Sequence, residues 1–197
     1  METKMCNPDQ SIRPKAMRWL LDGFLALFLA IAIGGTSAMA NDLPTRQTPI
    51  PVTTSGVPHV QLNVQPVPEV QSELMRRVAL LPGVNIRPTV ISLPGATGFQ
   101  LDDALRLKRP DVIVGGREFA HVHPDGSLHA SLPPERAKEA VWAGWAVRHP
   151  WAAKRQGWEG FVMLYTPSNM DELEVTFQLI VDGYNFVTGR DLLAENL

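Results

Sequence analysis

Apolar and polar side chains alternate along residues 117–132, on both sides of the triplet Pro124-Asp125-Gly126. This alternation predicts two β-strands, near 117–123 and 127–132. The triplet suits a three-residue hairpin loop in which the glycine takes the left-handed conformation. The predicted cross-strand pairs are His123 with Ser127, Val122 with Leu128, and His121 with His129.

The hairpin has two faces because side chains alternate along a strand. One face carries polar residues: His121, His123, Ser127, His129 and Ser131. The other is apolar and carries Ala120, Val122, Leu128, Ala130 and Leu132. A two-residue Asp125-Gly126 turn would instead place His129 opposite Val122 and separate the histidines.

Apolar residues at helical spacing predict helices over residues 69–81, 134–144 and about 170–185. Pro82-Gly83 ends the first, and Pro133-Pro134 begins the second.

Further strands are predicted over 84–93 and over the continuous apolar run 161–166. Residues 101–107 are consistent with a short helix, and 110–114 with a strand that is interrupted at Gly115-Gly116. Hairpin-connected strands with helices between them predict an α+β fold, in which helices pack on one face of a small antiparallel sheet.

The N-terminal residues 1–40 have the pattern of a secretory signal peptide. Basic residues precede an apolar run over 24–33, and Ala38-Met39-Ala40 suits cleavage after residue 40. The alternative is an uncleaved membrane anchor, and both predict an exported protein, periplasmic or secreted. Cys6, the single cysteine, precedes the apolar run, so the mature protein would form no disulfide.

Residues 41–68 are rich in proline, with few charges and no periodicity. This composition predicts an extended or disordered linker between the signal peptide and a domain over residues 69–197. His59 is then expected to be an exposed linker side chain.

The charge pattern narrows the class of partner. The formal net charge is -2, and the Lys and Arg residues are scattered rather than gathered into a basic stripe. We therefore exclude nucleic acid as a partner and expect a small-molecule ligand. Membrane contact is expected only through an uncleaved N-terminal segment, and the sequence leaves the oligomeric state open.

The histidines of the hairpin are the first candidate site. Three imidazoles on one face are a set that can hold a catalytic metal, with His121, His123 and His129 as ligands. The alternative is the solvated side of a hairpin edge.

Arg148 and His149 are the next candidates, because they follow the second predicted helix and can fold back over the histidine face. Arg148 would bind an oxygen anion, although capping of that helix would also account for it. Trp145, Trp151 and Tyr165 are candidate substrate contacts, and core packing is the alternative for each. The sequence contains no Gly-x-Ser-x-Gly or phosphate-binding motif, so a serine triad is not supported.

The run from Ala120 to about Val187 resembles the fungal luciferases, which oxidise 3-hydroxyhispidin, and their bacterial relatives. The resemblance is carried by His121-x-His123 with Leu128-His129, by Gly144-Trp145-x-x-Arg148-His149-Pro150, and by Leu164-Tyr165-x-Pro167-x-Asn169. The fungal proteins have a longer connection where this chain has Pro124-Asp125-Gly126.

The resemblance implies the addition of O2 to an electron-rich pyrone without flavin, haem or a required metal. A base among His121, His123 and His149 would form the enolate, Arg148 would stabilise the anion, and His129 would orient its neighbour. We therefore expect an oxygenase that acts on a small aromatic or enolic molecule. The alternatives are a small-ligand-binding module without catalysis and a three-histidine metal-binding protein.

Overall fold

A computed structural model describes residues 43–197 of the chain. The predicted signal peptide or anchor, residues 1–40, lies outside the described residues. Within 43–197, none of the helices has the length and hydropathy of a membrane span.

The centre of the fold is an antiparallel sheet, which in the described part of the chain has six strands in the order β1-β2-β3-β4-β6-β5. The strands are β1 (Val84–Pro88), β2 (Thr97–Leu101), β3 (Glu118–Val122), β4 (Leu128–Ser131), β5 (Ala146–Arg148) and β6 (Phe161–Leu164). Every pair of neighbours is antiparallel. The predicted α+β class with one antiparallel sheet is confirmed.

The three predicted helices are present as α1 (Pro68–Val78), α2 (Pro134–Trp142) and α3 (Met170–Thr188). The start of α3 is capped by Asn169, whose side chain accepts a hydrogen bond from the Glu172 N–H. Gly189 ends α3 in the left-handed conformation, with φ 76°. Short 3-10 helices cover Pro110–Val112 and Ala194–Asn196.

The main apolar core lies between the helices and one face of the sheet. Leu128 and Ala130 of β4 and Phe177 and Ile180 of α3 are all buried there. Each large apolar side chain buried in this way contributes roughly 1.5–3 kcal/mol to stability. Because the helices cover this face, the opposite face of the β3–β4 hairpin is left for the polar side chains.

The hairpin has the predicted register. Val122 pairs with Leu128 and His121 with His129, and the His123 N–H donates to the Ser127 carbonyl at 2.8 Å. Gly126 closes the three-residue loop with φ 84°, a conformation that a side chain disfavours.

Four local features differ from the prediction. No helix forms over residues 101–107, since Leu101 ends the strand β2, and Pro110–Val112 is a 3-10 helix rather than a strand. The first strand ends at Pro88 instead of 93, and the strands β2 and β5 were not predicted. Pairing accounts for these two strands, since β2 hydrogen-bonds to β1 and β3, and β5 to β6.

Residues 43–67, here called the strap, lie against the domain and contain no helix or named strand. The Arg46 guanidinium lies 2.9 Å from the Glu172 carboxylate of α3. The Gln61 side chain donates to the Thr166 hydroxyl at 2.6 Å. These contacts hold the strap in place, and His59 between them is 4% exposed. The prediction that His59 is an exposed linker side chain is therefore wrong.

Candidate active site

The polar face of the hairpin is the floor of a pocket with a volume of about 260 Å³. The strap covers it with His59, and the loop after β1 contributes Ser92. Trp151 and Phe161 form an aromatic wall. The site is therefore a half-open pocket on the face of the sheet opposite the main core.

All five histidines of the chain line this pocket, and each is at most 5% exposed. They are His59, His121, His123, His129 and His149. The alternative of a solvated hairpin edge is therefore wrong. Buried imidazoles need hydrogen-bond partners, so the partners of each ring show what it can do.

A first hydrogen-bond chain joins Glu118, His121 and His129. His121 Nδ1 lies 2.9 Å from Glu118 Oε1, and His121 Nε2 lies 3.1 Å from His129 Nδ1. A carboxylate only accepts, so His121 donates from Nδ1, and in its neutral form it accepts at Nε2 from the Nδ1–H of His129. His129 Nε2 then carries a lone pair, and this buried atom has no hydrogen-bond partner.

Glu118 is buried and held as an acceptor. It also accepts from the Thr89 hydroxyl and from the Val90 N–H, each at 2.8 Å. Burial raises the pKa of the Glu118 carboxyl, but the hydrogen bonds from His121, Val90 and Thr89 outweigh it and leave the pKa below its ordinary value. Gly98 makes room for the carboxylate, since a Cβ there would lie 2.3 Å from Glu118 Oε2.

Sequence reasoning missed Glu118 because strict alternation places it on the core face with Ala120. The pairing between β2 and β3 shifts by one residue, so that Phe99 pairs with Ala120 but Gln100 pairs with Glu118. This bulge leaves Phe119 unpaired and turns it into the main core. The side chain of Glu118 then reaches His121. The one signal for Glu118 in the sequence was a lone acidic residue at the start of an apolar strand.

A second hydrogen-bond chain joins Asp125, Ser127, His123 and Ser92. The Ser127 hydroxyl donates to Asp125 Oδ1 at 2.7 Å, so it accepts from His123 Nδ1, which lies at 3.0 Å. His123 Nε2 lies 3.0 Å from the Ser92 hydroxyl. Burial and then the charge of His121 lower the pKa of His123 to about 4, so a neutral His123 accepts from Ser92.

His149 and His59 flank His129, with ring centroids 4.5 and 5.4 Å from its own. The backbone N–H of Trp151 donates to His149 Nδ1 at 3.0 Å, so neutral His149 carries its proton on Nε2. Burial, followed by the charges of His59 and His121, lowers the pKa of His149 to about 3. Burial also lowers the pKa of His59 and of His129. Nδ1 of His59 is buried without a partner.

Three predicted site residues lie outside the pocket. Arg148 is exposed and lines a different groove, together with Trp142 beside α2. Trp145 and Tyr165 pack against Arg46, whose guanidinium carbon lies 5.4 and 5.8 Å from their rings. Successive side chains of a strand point to opposite faces of the sheet, so Arg148 points away from the face that His149 occupies. The prediction that Arg148 folds over the histidine face is wrong, and that for His149 is confirmed.

The predicted metal ligands are close together but occupied. Single ring nitrogens of His121, His123 and His129 lie within 4.8 Å of one another. Both nitrogens of His121 and both of His123 are nevertheless taken by hydrogen bonds. A second group of three, His59, His129 and His149, also lies within 4.8 Å.

Comparisons with known proteins find similarity in a region that includes the hairpin. The model of the luciferase domain matches residues 116–181, which include Glu118 and the hairpin. The luciferase of Armillaria gallica is 30% identical over 167 residues, covering 75% of this chain and 62% of that protein. The chain is therefore similar to the luciferase domain over residues 116–181 and to a fungal luciferase over most of its length.

Other fungal luciferases are similar over the same region. The luciferase of Armillaria mellea is 29% identical over 167 residues, and that of Neonothopanus nambi is 30% identical over 95 residues, which cover 45% of this chain and 35% of that protein. The chain spans 62% of the length of the Armillaria luciferases. No solved structure matches it significantly.

Proposed function

We propose that this protein oxidises a small enolic or aromatic, pyrone-like substrate with O2 in the histidine pocket, without flavin, haem or a required metal. His129 is the base in this proposal. The observation that carries it is the free Nε2 of His129, which is buried and unpaired at the end of the Glu118–His121–His129 chain. An imidazole held in one tautomer, with its lone pair facing a ligand cavity, is the arrangement that general-base catalysis needs.

The first step is removal of a proton from the substrate hydroxyl by His129 Nε2. The positive charge that forms on His129 is stabilised through its Nδ1–H bond to His121 and, beyond it, by the buried Glu118 carboxylate. The sequence assigned His129 an orienting role. The hydrogen-bond chain supports the reverse, with His121 orienting His129.

The second step is reaction of the enolate with O2. The enolate carbon forms a bond to one oxygen atom, and O2 is reduced to a peroxide anion. Because the Trp151 N–H occupies His149 Nδ1, His149 presents Nε2–H to the pocket and can donate to that anion. His149 thus takes the role that the sequence analysis gave to Arg148.

The shape of the pocket favours a flat, small substrate. Trp151 and Phe161 supply aromatic surface, and a cavity of about 260 Å³ holds a small ring system rather than a polymer.

Oxygen uptake tests the proposal. We expect O2 consumption with 3-hydroxyhispidin or a simpler 3-hydroxypyrone, and a loss of about 10²-fold or more in kcat for His129→Gln. Circular dichroism must show that the variant is folded. No uptake with any such pyrone, or uptake that His129→Gln leaves unchanged, would contradict the proposal.

The alternative is a binding module without catalysis, and the observation that favours it is the strap, which lines one side of the pocket with His59. Calorimetry separates the two functions. A pyrone that binds stoichiometrically under air without O2 uptake would support the binding module.

We also propose that the protein is exported. The support is the sequence of residues 1–40, with its basic start, short apolar run and Ala38-Met39-Ala40. N-terminal sequencing of exported protein should begin at Asn41. A chain that begins at Met1 and fractionates with membranes would favour the anchor.

A further inference from the structure

We propose that His59, His129 and His149 form a binding site for a divalent cation of the zinc type. One ring nitrogen from each residue lies within 4.8 Å of the other two. Two nitrogens of these rings, Nδ1 of His59 and Nε2 of His129, are buried and have no hydrogen-bond partner. His59 and His129 are 4% and 5% exposed.

Two unpaired, buried imidazole nitrogens on rings whose centroids lie 5.4 Å apart point to a shared ligand. A buried polar atom without a partner is costly, and native proteins rarely keep one without a reason. A cation accepts both lone pairs at once, which a single hydrogen-bond donor does not. Three neutral imidazoles without a carboxylate select Zn²⁺, Cu²⁺, Ni²⁺ or Co²⁺ over Mg²⁺ and Ca²⁺.

The third ligand, His149, must release one hydrogen bond. Its Nδ1 accepts from the Trp151 N–H, so coordination by either ring nitrogen exchanges that bond for a metal bond. A tetrahedral zinc ion brings its ligand nitrogens to about 3.4 Å from one another. Small rotations of three side chains that already lie within 4.8 Å supply this movement.

The residues behind His129 have the arrangement of a supporting shell. Metal-bound histidines usually donate their other ring N–H to a partner that sets the tautomer. His129 donates from Nδ1 to His121, and His121 donates to the Glu118 carboxylate. This places the lone pair of His129 on Nε2, and the ring centroids of His59 and His149 lie 5.4 and 4.5 Å from that of His129.

This site differs from the one that the sequence pattern suggests. His121 and His123 have both ring nitrogens engaged, the latter by Ser92 and Ser127. A cation bound by His121, His123 and His129, here called the hairpin trio, would have to break several of these hydrogen bonds. Binding by His59, His129 and His149 breaks one. The strap therefore supplies a ligand that the hairpin lacks.

The site has a consequence for catalysis that rests on the proposed function. A cation on Nε2 of His129 occupies the lone pair that the proposed base uses. Zinc and base catalysis then exclude each other, and we expect zinc to inhibit O2 uptake.

Calorimetry on the full-length chain, purified without a histidine tag and stripped with chelator, tests the site directly. Wild-type protein should bind one Zn²⁺ per chain and bind neither Mg²⁺ nor Ca²⁺. His59→Gln and His129→Gln should each lose at least 100-fold in zinc affinity. His123→Gln should stay within a few-fold of wild type, because its nitrogens already have partners.

Long-range proton–nitrogen NMR of the histidine rings in wild-type protein gives a test without substitutions. Zinc should shift Nδ1 of His59 and Nε2 of His129. Absence of stoichiometric binding by folded protein would overturn the proposal. So would binding that His123→Gln abolishes and His59→Gln leaves intact, since that result assigns the ion to the hairpin trio.

Oxygen uptake during a zinc titration tests the consequence separately. Inhibition should follow the occupancy measured by calorimetry. Activation by zinc would overturn the inhibitory role. Zinc binding by a protein that consumes no O2 would leave the metal site supported and count against the proposed function alone.

Discussion

His121 and His129 are direct cross-strand partners, with Nε2 of the first 3.1 Å from Nδ1 of the second. On the other side of the His121 ring, Nδ1 donates to the Glu118 carboxylate. When both rings are neutral, His129 therefore donates to His121, and His121 donates to Glu118. This chain of hydrogen bonds ends at the unpaired Nε2 of His129. This contact therefore makes His129 the reactive end of the chain and His121 the residue that positions it.

Glu118→Gln tests the role of the carboxylate. The amide keeps the shape of Glu118 but loses the charge that stabilises a protonated His129, so we expect kcat for O2 uptake to fall by roughly 10- to 100-fold. KM should change little, since Glu118 does not line the pocket. Glu174→Gln, which alters an exposed partner of Arg77, is the matched control. An unchanged kcat in folded Glu118→Gln would remove the chain from the mechanism.

Arg148→Ala tests whether Arg148 lies outside the pocket, as in the structure, or binds an anion there, as the sequence predicted. The exposed Arg148 lies in the groove beside α2 and not in the pocket, so kcat and KM for O2 uptake should match wild type. His149→Ala should lower kcat, because the pocket loses an N–H donor. Equal losses in the two variants would mean that Arg148 reaches the substrate.

Gly126→Ala tests the loop that sets the hairpin register. Gly126 has φ 84°, and a Cβ there would lie 2.6 Å from Thr166 Cγ2 and 3.0 Å from Pro66 Cβ. We expect a loss of about 1–3 kcal/mol in the free energy of unfolding. Gly56→Ala is the control, because its Cβ would meet nothing within 4 Å. Urea denaturation measures both, and a neutral Gly126→Ala would contradict the strain.

The hairpin was predictable because its information is local. Pro124-Asp125-Gly126 selects a three-residue loop, and the loop determines which residues face each other. The histidine face follows from that register and the two-residue period of a strand. The helices were predictable for the same reason, since their apolar stripes and bounding prolines and glycines are continuous in sequence.

The remaining parts of the site depend on contacts between distant segments. Glu118 reaches His121 only because of a bulge where β3 pairs with β2, which the alternation rule cannot anticipate. His59 is buried because Gln61 bonds to Thr166, 105 residues further along the chain. A proline-rich stretch carries no local signal for such docking. Arg148 was misplaced because the pattern did not show that Ala146–Arg148 is a strand.

The strap is held by a buried ion pair, and its pH dependence is the last prediction. The side chains of Arg46 and Glu172 are 3% and 6% exposed, and their charged atoms lie 2.9 Å apart. Burial raises the pKa of Glu172, but hydrogen bonds from Thr48 and Ser168 and the charge of Arg46 outweigh it, so the folded-state pKa lies below the ordinary value.

A carboxyl whose pKa is lower in the folded state binds fewer protons there than in the unfolded state. Glu172 therefore contributes stability above its unfolded pKa of about 4.3. That contribution is lost as the pH falls from there through the folded pKa. Wild-type protein should lose free energy of unfolding over this range, and Glu172→Gln should lose less.

At pH 7 the same variant should be about 3–5 kcal/mol less stable, because it leaves Arg46 buried without its partner charge. Exposed Glu195→Gln is the control and should follow the wild-type curve. Urea denaturation at a series of pH values gives both quantities. Parallel curves for wild type and Glu172→Gln below pH 5 would show that this pair is not what acid weakens, and the docking of the strap would need another cause.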